Sequence, residues 1–125
     1  MIVPGPLSIR ATSEGGVRRL TPIGELDLAT VPLLESAFEA VLSDDDAEMI
    51  VVDLTELSFM DSSGIHLLER MHSACADADR LRVVSSRVVE RILALAGGRA
   101  YLPIISGDCD PREPLRHEYL LRLRA

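Results

Sequence analysis

The sequence contains no lysine: its 13 basic residues are all arginine, set against 20 acidic ones. A P-loop needs a lysine to reach the phosphates, and Schiff-base catalysis needs one as nucleophile, so both classes are excluded. With a net charge of −7 and only 3% aromatic residues, the chain lacks the basic footprint that nucleic acids and anionic membranes require. No apolar run approaches the roughly 20 residues needed to cross a bilayer. The opening MIVPGPLSIR has no basic segment followed by a long apolar stretch, so no secretory signal is expected and the cytoplasm is the expected location. Cysteine is scarce as well. Cys75 and Cys109 lie far apart, without a CxxC pattern, and read as free thiols of a reducing compartment. The histidines His66, His72 and His117 lack metal-ligand spacing, and His66 and His72, six apart on an expected helix, point to different faces. Neither a metal nor another cofactor is expected.

What is present is 125 residues, 47% of them apolar, enough for one domain over residues 1–125 that needs no disulfide or metal. Its core is expected at about 7–105, with 106–125 as a tail. Leu7–Thr12 and Val17–Gly24 read as strands joined by the turn Ser13–Gly16, an antiparallel opening pair. Thr30 reads as an N-cap, Pro32 as a first-turn residue, and Leu34, Ala37, Phe38, Val41 and Leu42 as the apolar stripe of a helix. Met49–Leu54 is nearly all apolar, the mark of a central strand covered on both faces. Thr55–Met60 reads as a connector, followed by Asp61-Ser62-Ser63-Gly64 and a second helix to about Ala78. A strand at Leu81–Val84, a helix at Val88–Ala96 stopped by Gly97-Gly98, and a strand at Tyr101–Ile105 complete the core. Leu115–Leu123, beyond Pro111 and Pro114, is expected as a short helix or a loose arm. This alternation predicts an α/β layered domain: a mixed, mostly parallel sheet with an antiparallel first strand and helices packed on it.

Sites in such sheets gather beyond the carboxyl ends of the strands. Two polar loops fall there, Gly24-Glu25-Leu26-Asp27 and Asp61-Ser62-Ser63-Gly64. If their strands are neighbours, Asp27 and Ser62 share one surface. Local physics leaves two readings of Asp61-Ser62-Ser63 open. These residues can simply cap a helix. Alternatively, Ser62 begins an exposed ridge, because helical spacing from it gives His66, Glu69 or Arg70, Ser73 and Asp77, opposite the apolar stripe Leu67, Leu68, Met71, Ala74, Cys75. Ser85-Ser86 reads as an N-cap of the third helix.

Two enzyme-like readings fail on the residues. Ser62 and His66 stand one helical turn apart with no GxSxG elbow and no evident oxyanion donors, which argues against a hydrolase. Asp53 ends a central strand, but the acidic pair and the lysine of a phospho-acceptor receiver are missing, so it reads as a strand-end acid paired with a local donor.

GELDLAT at Gly24–Thr30 and VVDLTELSFMDSSG at Val51–Gly64, with the helix that follows, resemble the STAS domain of anti-sigma-factor antagonists. The resemblance covers roughly Leu7 to Ile105, and it implies a regulatory binding protein rather than an enzyme. It further implies a partner-switching cycle. The unmodified antagonist binds an anti-sigma factor that is itself a serine kinase, which frees the sigma factor for transcription. That kinase phosphorylates the first serine of the motif, and a serine phosphatase reverses the change. Carried over by position, the acceptor is Ser62, and Asp27, Asp61, Ser63 and Gly64 belong to the same partner-binding surface. His66 joins that surface at a position where the family commonly has a small residue. A phosphoserine adds about −1.5 to −2 charge. The free N–H groups and positive dipole end of the helix are expected to tolerate it, while a docked partner is repelled. The resemblance also leaves room for an unphosphorylated STAS interaction module of a stress-signalling or transport complex, with Ser62 acting only as a cap. The oligomeric state stays open.

Overall fold

The first hairpin turns on a two-residue loop, a geometry that requires a left-handed backbone. Gly15 supplies it at φ +59°, between β1 (Leu7–Glu14) and β2 (Val17–Leu26). The computed structural model describes residues 6–75, 80–96, 101–106 and 120–122. Cys109 and His117 lie outside these residues, as do Gly97-Gly98, Asp77, Pro111 and Pro114.

After β2 the chain forms α1 (Val31–Leu42), which buries Val31, Leu34 and Phe38 and packs Ala37, Val41 and Leu42 against the core. β3 (Met49–Asp53) then lies parallel between β2 and β5 (Leu81–Ser85). Its covering on both faces is as its composition requires: Ile50 and Val52 enter the helix-side core, while Val51 packs with Val84 on the other face. α3 (Arg87–Ala96) begins after Ser86, whose hydroxyl accepts the Val89 N–H at 3.3 Å, as a cap should. With β6 (Tyr101–Ser106) and β7 (Leu120–Arg122), the sheet runs β1-β2-β3-β5-β6-β7, parallel except for the first and last pairs.

Three elements differ from expectation. Leu57–Met60 is not a connector but a strand, β4, parallel to β2. The reason is the length of β2: β3 pairs only with its first part, Val17–Leu20, which leaves the edge at Gly24–Leu26 bare until β4 fills it. α2 (Ser62–Ala74) stops earlier than Ala78, because Cys75 turns to an extended backbone and buries its thiol in the core. The tail contributes neither a helix nor a loose arm at Leu120–Arg122. These residues form β7, antiparallel to β6 (Tyr101–Ser106). An uncovered strand edge offers unpaired N–H and C=O groups, and β7 satisfies those of β6.

Asp53, at the end of β3, is 7% exposed. It accepts the Thr55 hydroxyl at 2.6 Å, the Thr55 N–H at 2.9 Å, and the Arg19 guanidinium at 2.7 and 3.2 Å. Burial alone pushes this carboxyl up, but the Thr55 bonds and Arg19 together outweigh it and leave the group below the usual aspartate range. The stability it confers is therefore complete above the unfolded-chain value of about 3.9 and is lost as pH falls through the lower folded value. Urea unfolding of Asp53→Asn is expected to show a loss of about 1–2 kcal/mol at pH 7, shrinking toward pH 3. An unchanged difference between those pH values would contradict the assignment.

Candidate functional surface

The site is built on the pairing of β2 with β4. Leu26 aligns with Met60, and the Asp61 N–H donates to the Leu26 carbonyl at 3.2 Å, continuing the ladder one residue past β4. This bond brings the loop after β2 against the start of α2, so Asp27 and Ser62 stand on one end of the sheet. The helix approaches closely because Gly64 has no side chain: a Cβ there would lie 2.6 Å from Met60 Cγ and 3.0 Å from Leu26 Cδ2. Gly64 therefore sits buried beneath the surface rather than on it.

Capping of α2 falls to Asp61. Its backbone is extended, and its Oδ1 accepts the Ser63 N–H at 2.9 Å and the Ser63 hydroxyl in a short bond. Its carbonyl accepts the Gly64 N–H at 3.1 Å and the Ile65 N–H at 3.4 Å. This arrangement changes two expectations. Ser62 is not the cap; it is the first residue of the helix and is exposed, and no hydrogen bond among the described residues engages its hydroxyl. The N–H groups expected to be free for a phosphate are largely taken by Asp61, which leaves the Ser62 N–H and the helix dipole to favour a negative charge.

Asp27 is half-buried and also has structural work. Its Oδ1 accepts the N–H groups of Ala29 at 3.0 Å and Thr30 at 3.1 Å, closing the turn into α1. Thr30 stands at the N-cap position without capping. Its hydroxyl instead accepts the Asp27 N–H at 2.9 Å and donates to the Glu25 carbonyl at 2.9 Å. Asp and Thr compete for such turn roles through the same kind of oxygen, which is why the sequence pattern does not separate them.

Beyond Ser62 the exposed side of α2 carries His66, Glu69, Arg70 and Ser73, which line one open depression together with Ala74. Arg70 is held by Glu35 of α1 at 3.1 Å. Sequence reasoning missed the apolar part of this end of the molecule. Leu28, next to Asp27, is 78% exposed, and Leu33, in the first turn of α1, is 50% exposed. The signal was available: Leu33 is an apolar residue outside the buried stripe of its own helix, and Leu28 belongs to no element. Phe59, 45% exposed, sits opposite Glu25 and so faces the other side of the sheet from Leu26 and Met60.

A family model described as the STAS domain matches residues 8–106. The anti-sigma-F factor antagonist RsfB of Mycobacterium tuberculosis is 29% identical over 91 residues, 73% of this chain and 74% of that protein. An anti-sigma factor antagonist from Mycobacterium paratuberculosis, known from a crystal structure, superposes with a TM-score of 0.67 and 26% identity, over 78% of this chain and 83% of the other. The Bacillus cell fate determinant SpoIIAA in its phosphorylated form shares the fold at a TM-score of 0.55 and 21% identity, over 79% and 90% of the two chains. No helix among the described residues is long and apolar enough to cross a membrane.

Proposed function

The chain belongs to the STAS domain family, and from that membership we propose that it is an anti-sigma-factor antagonist switched by phosphorylation of Ser62. In this reading the unmodified protein binds an anti-sigma factor with serine kinase activity, which releases the sigma factor to transcription. The kinase modifies Ser62, the complex dissociates, and a serine phosphatase restores the binding form. Both similar mycobacterial proteins are anti-sigma factor antagonists, which supports the partner class.

The observation that carries the reading is the position of Ser62. Its residue is exposed at the first turn of α2, relieved of capping by Asp61, and set beside the Asp27 loop through the Asp61–Leu26 bond. A hydroxyl with no structural duty can gain and lose a dianion without cost to the fold. The surface around it supplies the two terms a switchable interface needs. Leu28 and Leu33 are apolar anchors for a partner, and Asp27 and Asp61 make the same place unfavourable for further negative charge. Ser63 shares the Asp61 ring and Gly64 lets the helix seat closely, so both shape the surface from beneath. His66 extends it along α2.

Incubation with the cognate anti-sigma kinase and ATP, followed by mass spectrometry, is expected to place one phosphate on Ser62 and none on Ser62→Ala. Transfer to a different residue, or no transfer, would favour a STAS interaction module that works without this modification.

A further inference from the structure

Phosphorylation at Ser62 raises a question of countercharge. Of the N–H donors in the first turn of α2, those of Ser63 and Gly64 are committed to Asp61, and Asp27 and Asp61 are themselves acidic. A nearby cation would offset the charge that a phosphate adds there. We propose that His66 is that cation: in the phosphorylated protein its imidazolium closes over the first turn of α2 and pairs with the phosphate on Ser62. The proposal rests on the Ser62 acceptor reading above and deepens it.

Helix geometry makes the pair. Residues four apart share a face, about 6 Å apart along the axis. Helical side chains lean toward the N-terminus, so the ring of His66 can reach back over the turn that begins at Ser62. Both residues are exposed. The alternative cation on this ridge, Arg70, lies a further turn away and is bound to Glu35. Among the described residues, the other charged groups on this part of α2 and on the elements beside it are Glu69 on α2, Glu35 and Glu39 on α1, and Asp27 and Asp61 at the helix start. β4 and β6, which also pack on α2, carry no carboxylate or cation. A single carboxylate competes poorly for the ring with a group of charge near −2.

The pairing makes the modified site sensitive to pH. Imidazole and the second phosphate ionisation titrate near one another, at about 6.5 and about 6, so each stabilises the charged form of the other. The test places phosphoserine at position 62 by genetic encoding, which needs no kinase, and follows phosphorus and imidazole NMR signals against pH. The phosphate midpoint is expected to rise by roughly 0.3–1 unit in His66→Ala and to return in His66→Arg. The His66 midpoint is expected to lie higher by a similar amount in the phosphorylated than in the unmodified chain. His72, ten residues along α2 and about 15 Å away, is expected to stay unmoved between the two forms. Midpoints unaffected by His66 substitution and by phosphorylation overturn the pairing. The kinase assay separates the two ideas: a kinase that ignores Ser62 contradicts the regulatory reading and leaves the ring–phosphate measurement intact.

Discussion

Ser62→Asp is expected to weaken binding to the anti-sigma partner by roughly 30- to 150-fold while the melting temperature moves by no more than a few degrees. The affinity loss follows from charge. The substitution places a carboxylate among Asp27 and Asp61 on a surface that a partner must desolvate, and like charges brought together at an interface cost several kcal/mol. About 2–3 kcal/mol corresponds to the stated range at about 1.4 kcal/mol per factor of ten. The unchanged stability follows from structure. Ser62 is exposed and Asp61 already caps α2, so an acid at the first helical position meets the favourable end of the dipole and displaces nothing. Calorimetric titration against the partner, with a thermal melt of the same sample, reads both terms. Lost binding accompanied by a large fall in melting temperature would mean that Ser62 holds the fold rather than the switch.

The second large effect belongs to Gly24. β2 shifts register there against β4, and Gly24 takes a φ of +116° to make the shift. The shifted backbone runs against the start of β1: the Glu25 N–H donates to the Pro6 carbonyl at 2.8 Å, and a Cβ on Gly24 would lie 2.1 Å from that same oxygen. Gly24→Ala therefore adds a disfavoured backbone, about 1–3 kcal/mol, to an overlap with immobile main chain of about 1–3 kcal/mol. The expected fall in melting temperature is roughly 10–20 °C by circular dichroism. A fall of only two or three degrees would show that the bulge relaxes freely. Asp27 follows three residues later, so this glycine also sets where the acidic side of the surface stands.

These two residues illustrate what the sequence makes legible. Strands β1, β2, β3 and β5 and the starts of all three helices can be read because their signals are local: alternation, an apolar run, a cap, a proline. The juxtaposition of Asp27 with Ser62 can be anticipated because both follow strands of one parallel sheet. β4 and β7 cannot be read in the same way. Each exists because a distant strand leaves an edge unpaired, and no window of sequence around Leu57–Met60 or Leu120–Arg122 contains that fact. The division of labour at the site is hidden for a related reason. Asp61, Ser62 and Ser63 are all good capping residues, and only the extended backbone of Asp61 determines that it is the cap and that Ser62 is left without that duty. The need for glycine at 64 becomes visible only once Met60 and Leu26 are seen lying under it.

The most direct measurement compares the affinity of one anti-sigma partner for the unmodified chain and for the chain carrying phosphoserine at 62. Tight binding of the first, a loss of at least a hundredfold in the second, and superimposable thermal melts are the predicted result. Equal affinities would contradict the account, since a surface indifferent to a dianion at its centre is not a switch.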